Sequence, residues 1–146
     1  MTAALSAFIE DAYRDTLSLM TELRDYLAAF QTNRADVADA QMRTRAIAEI
    51  STMTRNLTEA MAWLLLRKAA MAGEITEDEA QVRSVGLMDD SARVARAEPA
   101  SPPVAGVAPL PVEMRGYMDR SRRLYDQILR LRESTDRTAR SGAGGA

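Results

Sequence analysis

Imidazole and thiolate carry much of the catalysis that proteins perform near neutral pH, and this chain has neither: His and Cys are both 0. Ser-His-Asp triads, His-containing zinc sites, thiolate nucleophiles and disulfide frames are excluded. Carboxylates and arginines remain. Two carboxyl groups share acid and base work only when they face each other across a cleft and their surroundings push their pKa values apart. Here Glu10, Asp11, Asp15, Glu22 and Asp25 are strung along one outer helix face near Arg14 and Arg24. Di-metal bundles pair Glu with His one turn away, and no His exists. The glycine-rich run near the C-terminus precedes no helix pattern, so it is not a phosphate loop. The chain reads as a non-enzyme with no cofactor and no metal.

The arginines suggest a second chemistry. Arg120, Arg122 and Arg123 form the strongest basic cluster, with Tyr117 and Tyr125 nearby. Phosphate backbones are bound by such clusters. Asp119 and Asp126 flank this one, however, and the net charge is -2 with a pI of about 5.3. A solvated face making ion pairs fits better, and a nucleic-acid-binding regulator is the lesser alternative.

The elements that must position these groups are helical. Leu5, Phe8, Ile9, Ala12, Tyr13, Met20, Leu23, Leu27 and Phe30 recur at steps of three and four, predicting a helix from about Ala3 to Phe30. Asn33, with Asp36 after it, can cap a second helix running from about Arg34 to Ala72. Its apolar stripe reads Val37, Ala40, Ile47, Ile50, Leu57, Met61, Leu64 and Met71. Gly73 can take the left-handed conformation that ends it. Thr76 and Glu79 have capping-box spacing, and Glu77, Asp78 and Glu79 suit the positive end of a helix dipole. A short helix from about Glu77 to Ser84 follows, ended by Gly86. All five prolines fall between Pro99 and Pro111. The stretch 86–110 is expected to be a flexible or extended linker. A last helix starts at Pro111 and keeps its periodicity to about Thr135. The expected fold is all-α: an antiparallel three-long-helix bundle with a short extra helix and a Pro-rich linker. It forms one domain over 1–138, and 139–146 is expected to be a disordered tail.

The second helix carries one apolar face more than a simple bundle requires. Met61, Leu64 and Met71 lie on one side, and Trp63 and Leu66 on another. A helix apolar on two sides has to be covered on two sides, by the linker, a second copy or a partner. Trp63, Leu66, Tyr117, Arg120 and Arg123 are therefore the candidate dimer or partner surface. No apolar run approaches the ~18–20 residues of a membrane span. The N-terminus turns acidic at Glu10 and Asp11 and has no basic segment, so the expectation is a cytoplasmic protein outside any membrane.

Two blocks resemble the alphaproteobacterial regulator of CtrA degradation (RcdA) family, of DUF1465 type. One is Ala62-Trp63-Leu64-Leu65-Leu66 followed by Gly73-Glu74-Ile75-Thr76 and Glu79-Ala80. The other is Leu110-Pro111, then Arg120-Ser121, Leu124-Tyr125-Asp126, Ile128 and Arg130-Leu131. A weaker third is Glu22 to Leu27. The resemblance implies a non-enzymatic adaptor built as a dimerising three-helix bundle. Such proteins help the ClpXP protease take substrates once ClpX is primed by the response regulator CpdR. Cargo such as the cell-cycle regulator CtrA is delivered with the cyclic-di-GMP effector PopA, and the family accumulates at a cell pole through its partners. A dimeric structural bundle with no protease role is the rival reading.

Overall fold

The computed structural model describes residues 3–32, 40–89 and 109–144. Four helices cover most of these: α1 Ala3–Thr32, α2 Ala40–Met71, α3 Glu77–Ser84 and α4 Val112–Ala143. No strand occurs among the described residues. The fold is all-α, with three long helices and one short one.

Each long helix buries a stripe that alternates steps of three and four, the seam spacing of helices packed at a shallow angle. On α1 the buried positions are Ile9, Ala12, Thr16, Leu19 and Leu23. On α2 they are Ala46, Ile50, Met53, Leu57, Ala60, Leu64 and Arg67. On α4 they include Met114, Ser121, Leu124, Ile128 and Thr135. Thr16 is tolerated in this seam because its hydroxyl donates to the Ala12 carbonyl at 2.7 Å.

The α2 seam corrects the expected stripe. Ile47 is 56% exposed and Ala40 is exposed, while Met61 and Met71 are only half-buried. Ile50, Leu57 and Leu64 lie in the seam as expected, and Ala46 and Ala60 take the buried places next to Ile47 and Met61. Small alanines gave it a weak apolar signal beside Ile47 and Met61. Val37 and the proposed Asn33 cap lie outside the described residues.

The helix directions follow from pairs of contacts. Lys68 meets Glu10 near one end of the α1–α2 pair, and Leu57 shares a groove with Leu23 farther along. Glu22 pairs with Arg120 and Tyr26 with Tyr117. Both α2 and α4 therefore run antiparallel to α1 and parallel to each other. Parallel neighbours cannot be joined by a short turn. Asp89 meets Arg132, while Pro109 lies just before Val112 at the start of α4, so the described ends on either side of 90–108 are ~30 Å apart at helical rise.

The last helix also runs farther than its apolar periodicity. Residues 139–143, expected in a disordered tail, continue α4 with side chains exposed. Thr138 donates to the Ser134 carbonyl at 3.0 Å. No proline or packed apolar residue is needed to stop or extend a helix there.

Candidate functional site

The α2–α3 corner is built from its caps. Gly73 has φ 75°, its amide donates to the Ala70 carbonyl, and the Glu74 amide reaches back to Ala69. This is a Schellman closure, for which the glycine's missing Cβ allows the left-handed turn. The Glu79 amide donates to Thr76 Oγ1 at 3.1 Å, and the Thr76 amide donates to Glu79 Oε2 at 2.9 Å. These bonds to the charged form hold the Glu79 carboxyl below its ordinary value. Arg67 sits in the α2 seam, 2% exposed, and its Nη1 donates to Glu77 Oε1 at 2.5 Å. Its Nη2 is buried with no partner among the described residues.

After α3 the chain tightens again. Gly86 has φ 83° and Met88 has φ 67°, a conformation that costs an unbranched side chain energy unless its surroundings hold it. Met88 is fully buried, and its carbonyl accepts from Tyr125 Oη at 3.2 Å. Arg132 Nη1 donates to the Leu87 carbonyl at 2.7 Å and to Asp89 Oδ1 at 3.0 Å. At the far end of the connection Leu110 is buried in the core. Both ends of the stretch read as a linker are therefore fixed to the bundle.

The five candidate surface residues separate into two groups. Trp63 is 2% exposed and belongs to the core, which corrects its assignment to a dimer or partner surface. The physical reason is that α2 packs against α1, α3 and α4 at once, so the chain itself covers the extra apolar face. Leu66 is half-buried.

Tyr117, Arg120 and Arg123 do come together, on the seam between α1 and α4. The Tyr117 ring lies 5.2 Å from Tyr26, which stacks at 6.1 Å on Phe30. Burial pushes the Tyr26 phenol above its ordinary value, and Glu113 and Tyr117 add to the rise. Arg120 Nη1 donates to Glu22 at 2.5 Å and its guanidinium lies 5.9 Å from the Tyr117 ring centre. Beside this pair a shallow hollow of about 250 Å³ is bounded by Asp15, Ser18, Arg120, Arg123 and Gln127. The surface has both signs of charge and suits protein contact.

A second concavity had no signal in the apolar pattern. Between α1 and α2, on the side away from the Glu22–Arg120 pair, a groove of about 560 Å³ has Met20, Leu23, Leu27 and Leu57 along it, with Arg24 and Thr54 also lining it. The four apolar side chains were read as bundle core, and Leu23 and Leu57 are buried as expected, while Met20 and Leu27 stay half-buried beside the groove. Among the described residues no group of acidic side chains is arranged to hold a metal ion. No described helix is long and apolar enough to cross a membrane.

A family model described as a protein of unknown function (DUF1465) matches residues 1–144. No curated protein and no solved structure matches the chain.

Proposed function

The chain belongs to the DUF1465 family, and from that premise we propose that it is a non-enzymatic adaptor that helps deliver substrates to the ClpXP protease. The observation that carries this reading is the coincidence of a match over 1–144 with the two residue blocks that resemble the RcdA family. On this reading the chain forms a homodimer in the cytoplasm. It engages ClpX primed by CpdR, receives cargo such as CtrA together with PopA, and gathers at a cell pole through those partners.

The mechanism needs no bond-making chemistry. An adaptor holds cargo and protease together, so that capture becomes effectively intramolecular and is accelerated by local concentration. A rigid scaffold with separate surfaces supports that role. The α1–α4 seam with Tyr117, Arg120 and Arg123 is one surface, and half-buried Leu66 lies on a different helix, α2.

The test is reconstitution of CtrA degradation by ClpXP with CpdR and PopA, with and without the chain, beside a pull-down on ClpX. The expected result is CpdR-dependent retention and faster loss of CtrA. Unchanged degradation and no retention in any state of CpdR would leave the rival, a dimeric structural bundle. Retention on DNA at low salt that fades steeply as salt rises would instead indicate a nucleic-acid binder.

A further inference from the structure

The α1–α4 seam carries opposite charges along one exposed face. On α1, Phe8, Asp11, Asp15, Ser18, Glu22 and Asp25 follow one another at steps of three and four, so they share a side of the helix. All are exposed, and Phe8, at 55%, adds apolar area at one end of the row. On α4, Arg120, Arg123, Gln127 and Arg130 form a second exposed row at the same spacing. The Glu22–Arg120 pair, and the hollow between Asp15, Ser18, Arg123 and Gln127, put the two rows side by side. By helical spacing Asp119 and Asp126 lie farther round α4, away from α1.

Little of this charge is used within the chain. Among the described residues Glu22–Arg120 is the one ion pair that crosses the seam. Asp11 reaches Arg14 at 3.9 Å, and Asp25 pairs with its neighbour Arg24. Asp15, Arg123 and Arg130 form no ion pair among the described residues. Scattered signs would only keep a surface solvated. Signs sorted by helix also dictate what can lie on it.

An acidic row beside a basic row is its own complement in one arrangement. A twofold axis parallel to the helices, running in front of the seam, lays α1 of one copy over α4 of the other. Acid then meets base along both helices, and every contact occurs twice. A twofold across the helices would lay α1 on α1 and α4 on α4, with like charges opposed. The parallel axis also keeps each residue at its own level along the bundle. With Glu22 level with Arg120 and the helices antiparallel, Asp15 of one copy comes to the level of Gln127 and Arg123 of the other, and Asp11 to that of Arg130. The hollow leaves room there for the second copy's side chains.

We propose that the α1–α4 face binds a second copy of this chain about a twofold parallel to the helices, with Asp15 of each copy opposite Arg123 of the other. The inference deepens the dimer in the reading above and rests on it, while the choice of face and axis comes from the charge rows alone.

Sedimentation of the full chain over a dilution series, at low and high salt, tests it. The wild type should dimerise, and more weakly as salt rises. Asp15→Arg and Arg123→Glu each set like charges against each other at both symmetry-related contacts. Each should weaken the dimer by about tenfold or more. An equimolar mixture of the two variants should recover a dimer close to wild type in affinity. In the mixed pair the two reversed positions face each other at one contact, and the native Asp15 and Arg123 meet at the other. Mixing cannot repair a fault within either chain, so recovery separates the interface from a local effect. Both positions are exposed, and helix content by circular dichroism checks that the variants fold. A wild type that stays monomeric at every concentration overturns the proposal and the dimer together. A dimer indifferent to both variants, or one weakened by them and not recovered on mixing, overturns this face and axis. Neither of those results touches the protease reading, which the CtrA degradation assay tests separately.

Discussion

The α2–α3 corner and the α1–α4 seam each hold an arginine–glutamate pair at 2.5 Å, yet the two pairs sit in different media. In the corner the Arg67 side chain is 2% exposed and Glu77 is 54% exposed. In the seam Arg120 and Glu22 are 46% and 45% exposed. Equal distances therefore do not mean equal worth. Water and salt screen both partners of the seam pair, and such pairs contribute ~0–1 kcal/mol. The corner cation has given up its hydration to occupy a seam position of α2, so Glu77 is the partner that makes its burial tolerable. The corner uses charge to fix the chain's turn from α2 into α3. The seam uses it to align two helices already packed through aromatic rings.

The sharpest way to break this contrast is to remove the acid from the corner. Glu77→Ala leaves Arg67 charged and buried, and should destabilise the fold by ~2 kcal/mol, between the cost of stranding a fully buried ion and that of an exposed pair because Glu77 is half exposed. Urea unfolding followed by circular dichroism reads it. Adding Arg67→Met, which keeps a flexible apolar stem in the seam without the charge, should recover most of that loss. A loss of under ~1 kcal/mol for Glu77→Ala alone would place the corner pair in the same class as the seam pair.

The corner was also the part most fully legible in the sequence. Gly73, Thr76 and Glu79 act locally, through bonds spanning a few residues, so their spacing was enough to place α3 at Glu77–Ser84. Faces were harder to read, because coverage depends on where distant helices lie. Trp63 looked like a surface residue only while α2 was pictured in a simple three-helix core, but α2 packs against α1, α3 and α4 and Trp63 is buried. Arg67 carries no local sign of its role, because its guanidinium pairs with Glu77 across the corner. The aromatic cluster of Tyr26 with Tyr117 and the α1–α2 groove depend on long-range packing, which neither helix announces alone. Met88, fully buried in a left-handed turn, had no signal beyond its place after Gly86.

On the seam, Glu22→Ala should cost well under ~1 kcal/mol at physiological salt, and the difference from wild type should shrink further as salt is raised. The same urea unfolding measured at low and high salt checks it. Glu22→Ala as damaging as Glu77→Ala would mean that the seam pair is shielded from solvent despite its exposure, and the contrast between the two regions would collapse.

The smallest effect lies within the corner itself, at Glu79. Its carboxyl accepts from the Thr76 amide, and its pKa is held below the ordinary value mainly by that backbone bond. A lowered folded-state pKa means that the unfolded chain binds the proton more readily. The contribution is therefore present above the unfolded value, about 4.5, and is lost as pH falls through the lower folded value. The group is fully exposed, so the change should appear as local fraying of the first turn of α3 while the bundle stays folded. Proton exchange at the Thr76 amide, followed by nuclear magnetic resonance as pH is lowered from 6 to 3, should lose protection in that window. Glu79→Gln keeps an acceptor at the same place but cannot titrate, so its Thr76 amide should show a flatter profile. A Thr76 profile identical in the two proteins would mean that ionisation of the Glu79 carboxyl does not set the protection of the cap, and that the bond from the Thr76 amide survives its protonation.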